Sequence, residues 1–293
     1  LPVISIVLPK GSLEAQTLKL FEEADLPVRR ASERDYNATI PDPRIGRVKI
    51  LRPQEIPLYV QQGFFDLGIT GLDWVRETGA DVVEVMDLGG GRQLGAPVKI
   101  VLAVAQDSGI TRPEELRPHM RVSTEYPNLT RQYFARLGLP VEVYLSYGAT
   151  EAKVPEIADA IVEVTETGAT LQRNGMRIID VLLESTTKLI CNRAAWEDPA
   201  KRAAIEEIRT LLDGVLAARG KVLLKMNVPA DRLADVIAIL PAMKSPTVSQ
   251  LYGNNYYAVE TVALKSSVNL LIPELKKRGA EDILELPISK IVA

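Results

Sequence analysis

Short aliphatic runs alternate with amphipathic stretches along most of the chain. Val3 to Leu8 reads as a buried strand, Pro9 to Ser12 as a turn, and Leu13 to Asp25 as a helix with Leu18, Leu20 and Phe21 on its apolar stripe. The unit repeats as a helical stretch ending at Gly63, a strand from Asp66 to Thr70 and a helix from Leu72 to Thr78. Further strands fit Val82 to Met86, Lys99 to Ala105, Arg121 to Ser123 and Val141 to Leu145. Helices are expected from Thr111, with Thr111 and Glu114 as a capping box, and from near Asn128. This alternation predicts an α/β protein with mainly parallel sheets, helices on both faces and ligands at the carboxyl ends of strands. After a long helix from about Pro199 to Arg219 the order becomes strand, helix, strand, strand, helix, strand. Those pieces run Lys221 to Met226, Asp231 to Leu240, Thr247 to Leu251, Tyr256 to Leu264, Val268 to Arg278 and Ile283 to Ile288, a ferredoxin-like βαββαβ order.

The most informative stretch runs from Asp159 to Leu171. Ala160 to Val164, with Glu163 inside the run, reads as a buried strand; Thr165, Glu166, Thr167, Gly168, Ala169 and Thr170 form a loop, and Leu171 starts a helix. A joint of this composition aims backbone N–H groups and threonine hydroxyls at whatever sits above the helix start, most often a phosphate. A phosphorylated sugar or nucleotide is the ligand class this favours, and an ordinary strand-to-helix turn has the same local pattern. The spacing matches neither the nucleotide P-loop nor the three-glycine dinucleotide fingerprint.

Other clusters have two readings each. Lys10, Gly11 and Ser12 lie between a strand and a helix start, as an anion site or as a cap with a solvated lysine. Arg29, Arg30, Arg34, Arg44, Arg47, Lys49 and Arg52 make 29–52 locally basic, as a solvated surface or a place for an anion. Asp66 and Asp73 flank Gly68 to Gly71; either accepts ribose hydroxyls or caps a helix, and capping is the simpler role for Asp73. Gly89, Gly90, Gly91 and Arg92 read as a close-approach loop or hinge. Thr124 to Asn128 offers Tyr126 to stack on a base, although turn chemistry also accounts for Pro127 and Asn128.

Composition narrows the partners. At 293 residues, 46% hydrophobic and 25% charged, the chain is long enough for two or three domains of ordinary globular character. A net charge of -3 gives no general attraction for nucleic acid or an anionic membrane, so any phosphate must be held by local groups. The single cysteine, Cys191, allows no internal disulfide and reads as a core residue; the single histidine, His119, has no partners for a metal site or a triad. Neither a signal-peptide core nor a membrane-length apolar run is present, so a cytoplasmic protein is expected.

Taken in order, the motifs resemble a known family. They are Leu8 to Gly11, Arg52 to Val60 with Gly63, Asp66 to Gly71, Thr124 to Thr130, the Gly148 to Glu151 turn, and Asp159 to Leu171 followed by Asn174 and Gly175. Leu240 with Pro241, Ser245 to Val248 and Leu286 to Ile288 extend the match through the tail. The chain resembles the ATP phosphoribosyltransferases in their long form, with a C-terminal regulatory domain. That resemblance implies two periplasmic-binding-protein-like lobes around a cleft, residues 1–94 with 185–212 and residues 95–184, plus a ferredoxin-like regulatory domain at 213–293. The chain would cross between lobes near Gly95 and return near Ser185. The implied reaction moves 5-phosphoribose from phosphoribosyl pyrophosphate to N1 of the adenine of ATP with Mg²⁺ present, the first step of histidine biosynthesis.

By the same resemblance Glu163 and Lys10 are catalytic, and Thr165, Glu166, Thr167, Gly168, Ala169, Thr170 and Leu171 hold the donor. Gly11, Arg52, Asp73 and Tyr126 face ATP or pyrophosphate, and Thr247 belongs to a regulatory site for histidine as inhibitor. A homo-oligomer, dimer and hexamer, is implied as well. Departures from the family pattern are Glu166 where many relatives carry serine, Gly90 where they carry phenylalanine or similar, and Asn227 where an acid can occur. The competing readings are a two-lobed small-ligand binding protein without turnover and a phosphoribosyltransferase for another substrate.

Overall fold

The structure, a computed structural model, describes residues 3–89 and 97–292. The glycine loop at Gly90 to Arg92 and the crossing near Gly95 lie outside the described residues. The chain divides into two compact units, Leu1–Arg209 and Thr210–Ala293.

The first unit opens with β1 (Ile4–Pro9), in which Ile4, Ile6, Val7 and Leu8 are wholly buried. A run broken only by Ser5, which donates to the Asp66 carboxylate, suits a central strand covered on both faces. There follow α1 (Glu14–Glu23), β2 (Asn37–Ala38), β3 (Ile45–Leu51), α2 (Ile56–Gln61), β4 (Leu67–Gly71), α3 (Leu72–Thr78) and β5 (Val83–Asp87). The next stretch builds β6 (Val98–Ala105), β7 (Arg121–Thr124), α4 (Pro127–Arg136), β8 (Glu142–Leu145), β9 (Ala160–Thr165), α5 (Ala169–Arg173) and β10 (Met176–Ser185). It ends with β11 (Thr187–Cys191), α6 (Arg193–Glu197) and α7 (Pro199–Ala218).

Two sheets result, one per lobe, with strand orders β2-β3-β1-β4-β11-β5 and β10-β6-β9-β7-β8. They are mixed rather than mainly parallel. β1 pairs in parallel with β3 and β4, and β7 with β8 and β9, but β11 runs antiparallel to both β4 and β5, and β6 antiparallel to both β9 and β10. The reversed strands are β6 and β11, each of which opens its stretch in the second or the first sheet. Packing follows the sheets, with Val7, Ile56, Val60, Phe65, Val75 and Ile190 at the first core and Ile100, Leu102, Val122, Phe134, Ala160 and Val162 at the second.

Local expectations fail where side-chain pairing overrides pattern. No helix starts at Thr111 with a Glu114 box; a short 3₁₀ turn at Pro113–Glu115 forms instead, with the Glu115 carboxylate accepting the Thr111 N–H at 2.7 Å. The basic run at 29–52 contains β3, and the residues after Gly175 form the ten-residue strand β10, neither of which the apolar pattern announced. The expected helix from Asp231 to Leu240 is a 3₁₀ turn followed by one turn of α-helix.

In the second unit, β12 (Lys221–Pro229) alternates strictly, with Val222, Leu224, Met226 and Val228 buried. With α8 (Leu233–Ile237), β13 (Thr247–Gln250), β14 (Tyr256–Leu264), α9 (Lys265–Lys277) and β15 (Glu281–Pro287) it forms an antiparallel sheet ordered β13-β14-β12-β15. That is the ferredoxin-like arrangement expected from the element order. Among the described residues no helix is long and apolar enough to cross a membrane.

Helix α2 approaches β4 so closely that a Cβ at Gly68 would lie 2.7 Å from Ile56 Cγ2 and 2.8 Å from Val60 Cγ2. Gly68→Ala is therefore expected to destabilise the protein by about 1–3 kcal/mol through overpacking, read as a lower urea midpoint. An unchanged midpoint would contradict the close approach.

Candidate active site

The parallel strands place the site. β1, β3 and β4 share one direction in the first lobe, and β7, β8 and β9 share one in the second, so six carboxyl-terminal ends supply loops to a common cleft. Its volume is about 480 Å³, within the range of small-molecule sites. Ser12, Leu13 and Gln16 follow β1; Pro53 and Gln54 follow β3; Gly71, Asp73 and Trp74 end β4 and open α3. From the second lobe come Glu125 and Tyr126 after β7, Glu151 after β8, and Glu163 to Thr167 with Thr170 and Leu171 from β9 and α5.

The loop from β9 to α5 closes on itself. Thr165 Oγ1 accepts the Gly168 N–H at 2.8 Å, and Thr167 Oγ1 accepts that of Ala169 at 3.4 Å. Gly168 takes the turn at φ +77, where an added Cβ would also stand 3.0 Å from Ile178 Cδ1, so the position requires glycine. Helix α5 begins at Ala169, two residues earlier than its first apolar residue suggested, and Leu171 is 2% exposed, pinning it to a separate cluster on the second sheet with Val101, Ala103, Ile161 and Met176. Thr165, Gly168 and Leu171 thus shape the loop, while Glu166, Thr167 and Thr170 are exposed on the cleft wall.

Glu163 sits half-buried at the end of β9 and accepts the Val164 N–H at 3.0 Å. Burial pushes its carboxyl above the usual glutamate range, opposed by hydrogen bonds from Thr150 and Val164 and reinforced by the charges of Glu125 and Glu151. Burial also raises Glu125, with Lys153 pulling the other way. Among the described residues no group of three or more histidine, cysteine, aspartate or glutamate side chains is gathered closely enough to hold a metal ion.

Asp73 and Tyr126 do not stand free in the cleft. Asp73 is 5% exposed; Ser185 Oγ donates to its Oδ1 at 2.6 Å and the Tyr126 hydroxyl to its Oδ2 at 2.9 Å. Its own N–H donates back to Ser185 Oγ at 2.9 Å. The helix cap is Gly71, and Asp73 lies inside the first turn of α3. Burial raises the Asp73 carboxyl and, with that carboxylate beside it, drives the Tyr126 phenol well up. The Tyr126 ring stacks on Trp74 at 4.5 Å and is itself buried, so no ring face is left for a base. Four residues further along α3, Glu77 accepts the N–H groups of Asn128 and Leu129 at 3.0 and 2.9 Å, capping α4 from the other lobe.

Lys10, Gly11 and Arg52 lie one or two residues from cleft-lining Ser12 and Pro53, and Gly11 stands against the Arg52 guanidinium. Lys10 Nζ donates to the Glu33 carbonyl at 3.1 Å and lies 5.5 Å from the Tyr36 ring. The basic run is not an open anion patch: Arg30 pairs with Glu14, Arg44 with Asp42 and Glu207, and Arg47 lies over Phe65. Thr247 belongs to the second unit, exposed on edge strand β13 opposite Glu260. Sequence reasoning had singled out neither the cleft carboxylates Glu125 and Glu151 nor Ser185 and Glu77. Only the first two carried a signal, as members of matched segments that follow strands.

Comparison with known proteins gives the chain a relationship. A family model described as HisG, ATP phosphoribosyltransferase, matches residues 52–214, and one described as HisG, C-terminal domain, matches residues 218–290. An ATP phosphoribosyltransferase from Desulforudis audaxviator is 48% identical, the alignment covering 97% of this chain and 98% of that protein. One from Pelotomaculum thermopropionicum is 46% identical at the same coverage. In fold, a chain of the ATP phosphoribosyl transferase (HisG:HisZ) complex from Thermotoga maritima aligns at TM-score 0.61 and 23% identity, covering 71% of this chain and 98% of that one.

Tyr126→Phe keeps the stack on Trp74 but leaves a buried Asp73 oxygen without its donor. Thermal or urea unfolding is expected to show a loss of about 1–3 kcal/mol, and stability equal to the parent would deny the inter-lobe bond any weight.

Proposed function

The chain belongs to the ATP phosphoribosyltransferase family, whose reaction opens histidine biosynthesis, and we propose that the cleft of its first unit is where 5-phosphoribose passes from phosphoribosyl pyrophosphate to N1 of the adenine of ATP. The observation that carries this reading is the threonine-rich loop of β9 and α5 facing the loops of β1, β3 and β4 across one cleft, with Glu163 at its edge. A two-lobed binding protein without turnover is not favoured, because the near full-length relatives are transferases.

In this reading Thr167, Thr170 and the backbone from Thr165 to Leu171 hold the 5-phosphate and ribose of the donor. Lys10, Gly11 and Arg52, at the rim of the first lobe, face the pyrophosphate or the triphosphate of ATP. Asp73 and Tyr126 act through the lobes rather than on the nucleotide, since each is committed to the other. Displacement at the anomeric carbon passes through an oxocarbenium-like state, so the protein's work is to align N1 with the carbon and to balance moving charge. The Glu163 carboxylate orients the ribose hydroxyls and offsets the positive charge that grows on the sugar. No histidine base takes part.

Nucleotide chemistry of this kind generally uses a divalent metal, and Mg²⁺ is the ion proposed. Such an ion would arrive with the donor, carried by phosphate oxygens and water. When bound, it would supply charge to neutralise the leaving pyrophosphate. The reading extends to a cytoplasmic homo-oligomer, dimer and hexamer, inhibited by histidine at the ferredoxin-like domain, with Thr247 in the inhibitor site.

Incubation with ATP, phosphoribosyl pyrophosphate and Mg²⁺ should release pyrophosphate and form an ultraviolet-absorbing product; no ATP-dependent product would remove the assignment. Glu163→Gln should lower kcat/KM by about 10²-fold or more. Because Glu163 is raised by burial and must be anionic, activity is expected to fall with acidification through a limb above the ordinary glutamate range. A pH profile of kcat/KM flat through that range would contradict it. Thr167→Ala with Thr170→Ala should weaken donor binding by about 1–3 kcal/mol and leave ATP binding unchanged in calorimetry.

A further inference from the structure

Helix α4 starts without a cap of its own. The first N–H groups of any helix lack partners inside it, and a short polar side chain at the N-cap, serine, threonine, asparagine or aspartate, usually takes one of them. Here the N-cap is Tyr126, which makes no side-chain capping bond and whose hydroxyl goes to Asp73. Pro127, the first helical residue, carries no N–H. That leaves the N–H groups of Asn128 and Leu129, and both are satisfied from the other lobe.

Glu77 supplies the acceptors. Its Oε1 accepts from Asn128 at 3.0 Å and its Oε2 from Leu129 at 2.9 Å, while its main-chain carbonyl accepts from the Asn128 side-chain amide at 3.1 Å. The residue is 7% exposed and stands behind the cleft wall, which its neighbours Asp73 and Trp74 line. Along α3, Asp73, Trp74 and Glu77 share one face, since residues four apart lie one above the other. That face meets the start of α4 through the Tyr126 hydroxyl on Asp73, the Tyr126 ring on Trp74 and the two N–H groups on Glu77. Trp74 also packs against the second core.

The consequence reaches the cleft. Glu125 and Tyr126 line it from the second lobe and immediately precede the capped turn; Asp73 and Trp74 line it from the first lobe on the helix that carries Glu77. A charged acceptor bonded to two main-chain N–H groups fixes distance and angle together, and more strongly than a bond between neutral groups. Where opposite lobes hold the two reactants, a shift of about 1 Å between the lobes spoils their alignment and leaves each lobe's own contacts in place.

We infer that Glu77 is a positioning residue for the transfer: by capping α4 across the lobe boundary it sets the separation of the two cleft walls, and with it the approach of the acceptor to the donor. The inference rests on the reading of the cleft as the site of phosphoribosyl transfer, with the donor on the second lobe and ATP facing the first.

The test compares Glu77→Gln and Glu77→Ala with the parent, assayed with ATP, phosphoribosyl pyrophosphate and Mg²⁺. Glu77→Gln keeps the shape, retains one acceptor and turns an amide N–H toward the other N–H; Glu77→Ala removes both acceptors. Trp74 reports the lobe contact once Trp196→Phe has removed the chain's other tryptophan. Both Glu77 variants should lower kcat about tenfold or more, keep KM for each substrate within about twofold, bind phosphoribosyl pyrophosphate in calorimetry with the parent's stoichiometry, and shift the Trp74 emission to the red. A kcat equal to the parent's would overturn the inference. So would a kcat loss matched by an equal loss of binding stoichiometry, which marks unfolded protein, or a fallen kcat with unchanged Trp74 emission, which places the defect away from the lobe contact. A raised KM with kcat intact would make Glu77 a contributor to binding and overturn it as well. Absence of ATP-dependent product in the parent itself would remove the reading of the cleft, and the inference with it.

Discussion

Asp73 is the carboxylate on which the arrangement of the two lobes depends. It enters the interior from the first turn of α3, and both of its oxygens are taken, one by Ser185 at the end of β10 and one by Tyr126 at the start of α4. A carboxylate taken out of water persists only where donors replace its hydration, so separating the lobes here would strand it. The Trp74 and Tyr126 stack covers the bond, and Glu77 ties the same two helices together a turn later. These contacts set how the strand ends of one lobe stand against those of the other, and the volume of the cleft follows from them.

Within that frame the two walls differ in character. The second lobe contributes Glu125, Glu151 and Glu163 beside a loop of threonines; the first contributes Ser12, Gln16, Pro53 and Gln54, with Lys10 and Arg52 next to them along the chain. In the proposed transfer the carboxylates would stand near the sugar that gains positive charge and the cations near the leaving diphosphate. Burial in the second lobe has a cost, visible in the upward pull on Glu125 and Glu163, to which the charges of Glu125 and Glu151 add at Glu163.

Much of the fold was legible because burial imposes periodicity. The largely apolar β1, the alternating burial of β12 and the helical stripe of α7 each state their surroundings in sequence. β3 and β10 escaped because charged residues alternate into them, and the sheets turned out mixed because strand direction is set where the chain changes sheet, which local pattern does not record. Among site residues, the loop from Thr165 to Leu171 was legible because turn chemistry is local. Asp73 read as a cap and Tyr126 as a stacking ring, since nothing near either residue along the chain reveals that they meet.

The sequence by itself determined the βα alternation, the ferredoxin-like tail, the threonine-rich loop and, through motifs in a specific order, the family. Those are properties of neighbours along the chain, where hydrophobic period and turn preference act over a few residues. Tertiary structure alone decided that Asp73, Tyr126 and Ser185, separated by up to 112 positions, share one buried set of hydrogen bonds, and that Glu77 of α3 accepts the first N–H groups of α4. The physical reason is that a buried polar group takes whichever partner packing brings within reach, and packing is settled by the whole core at once.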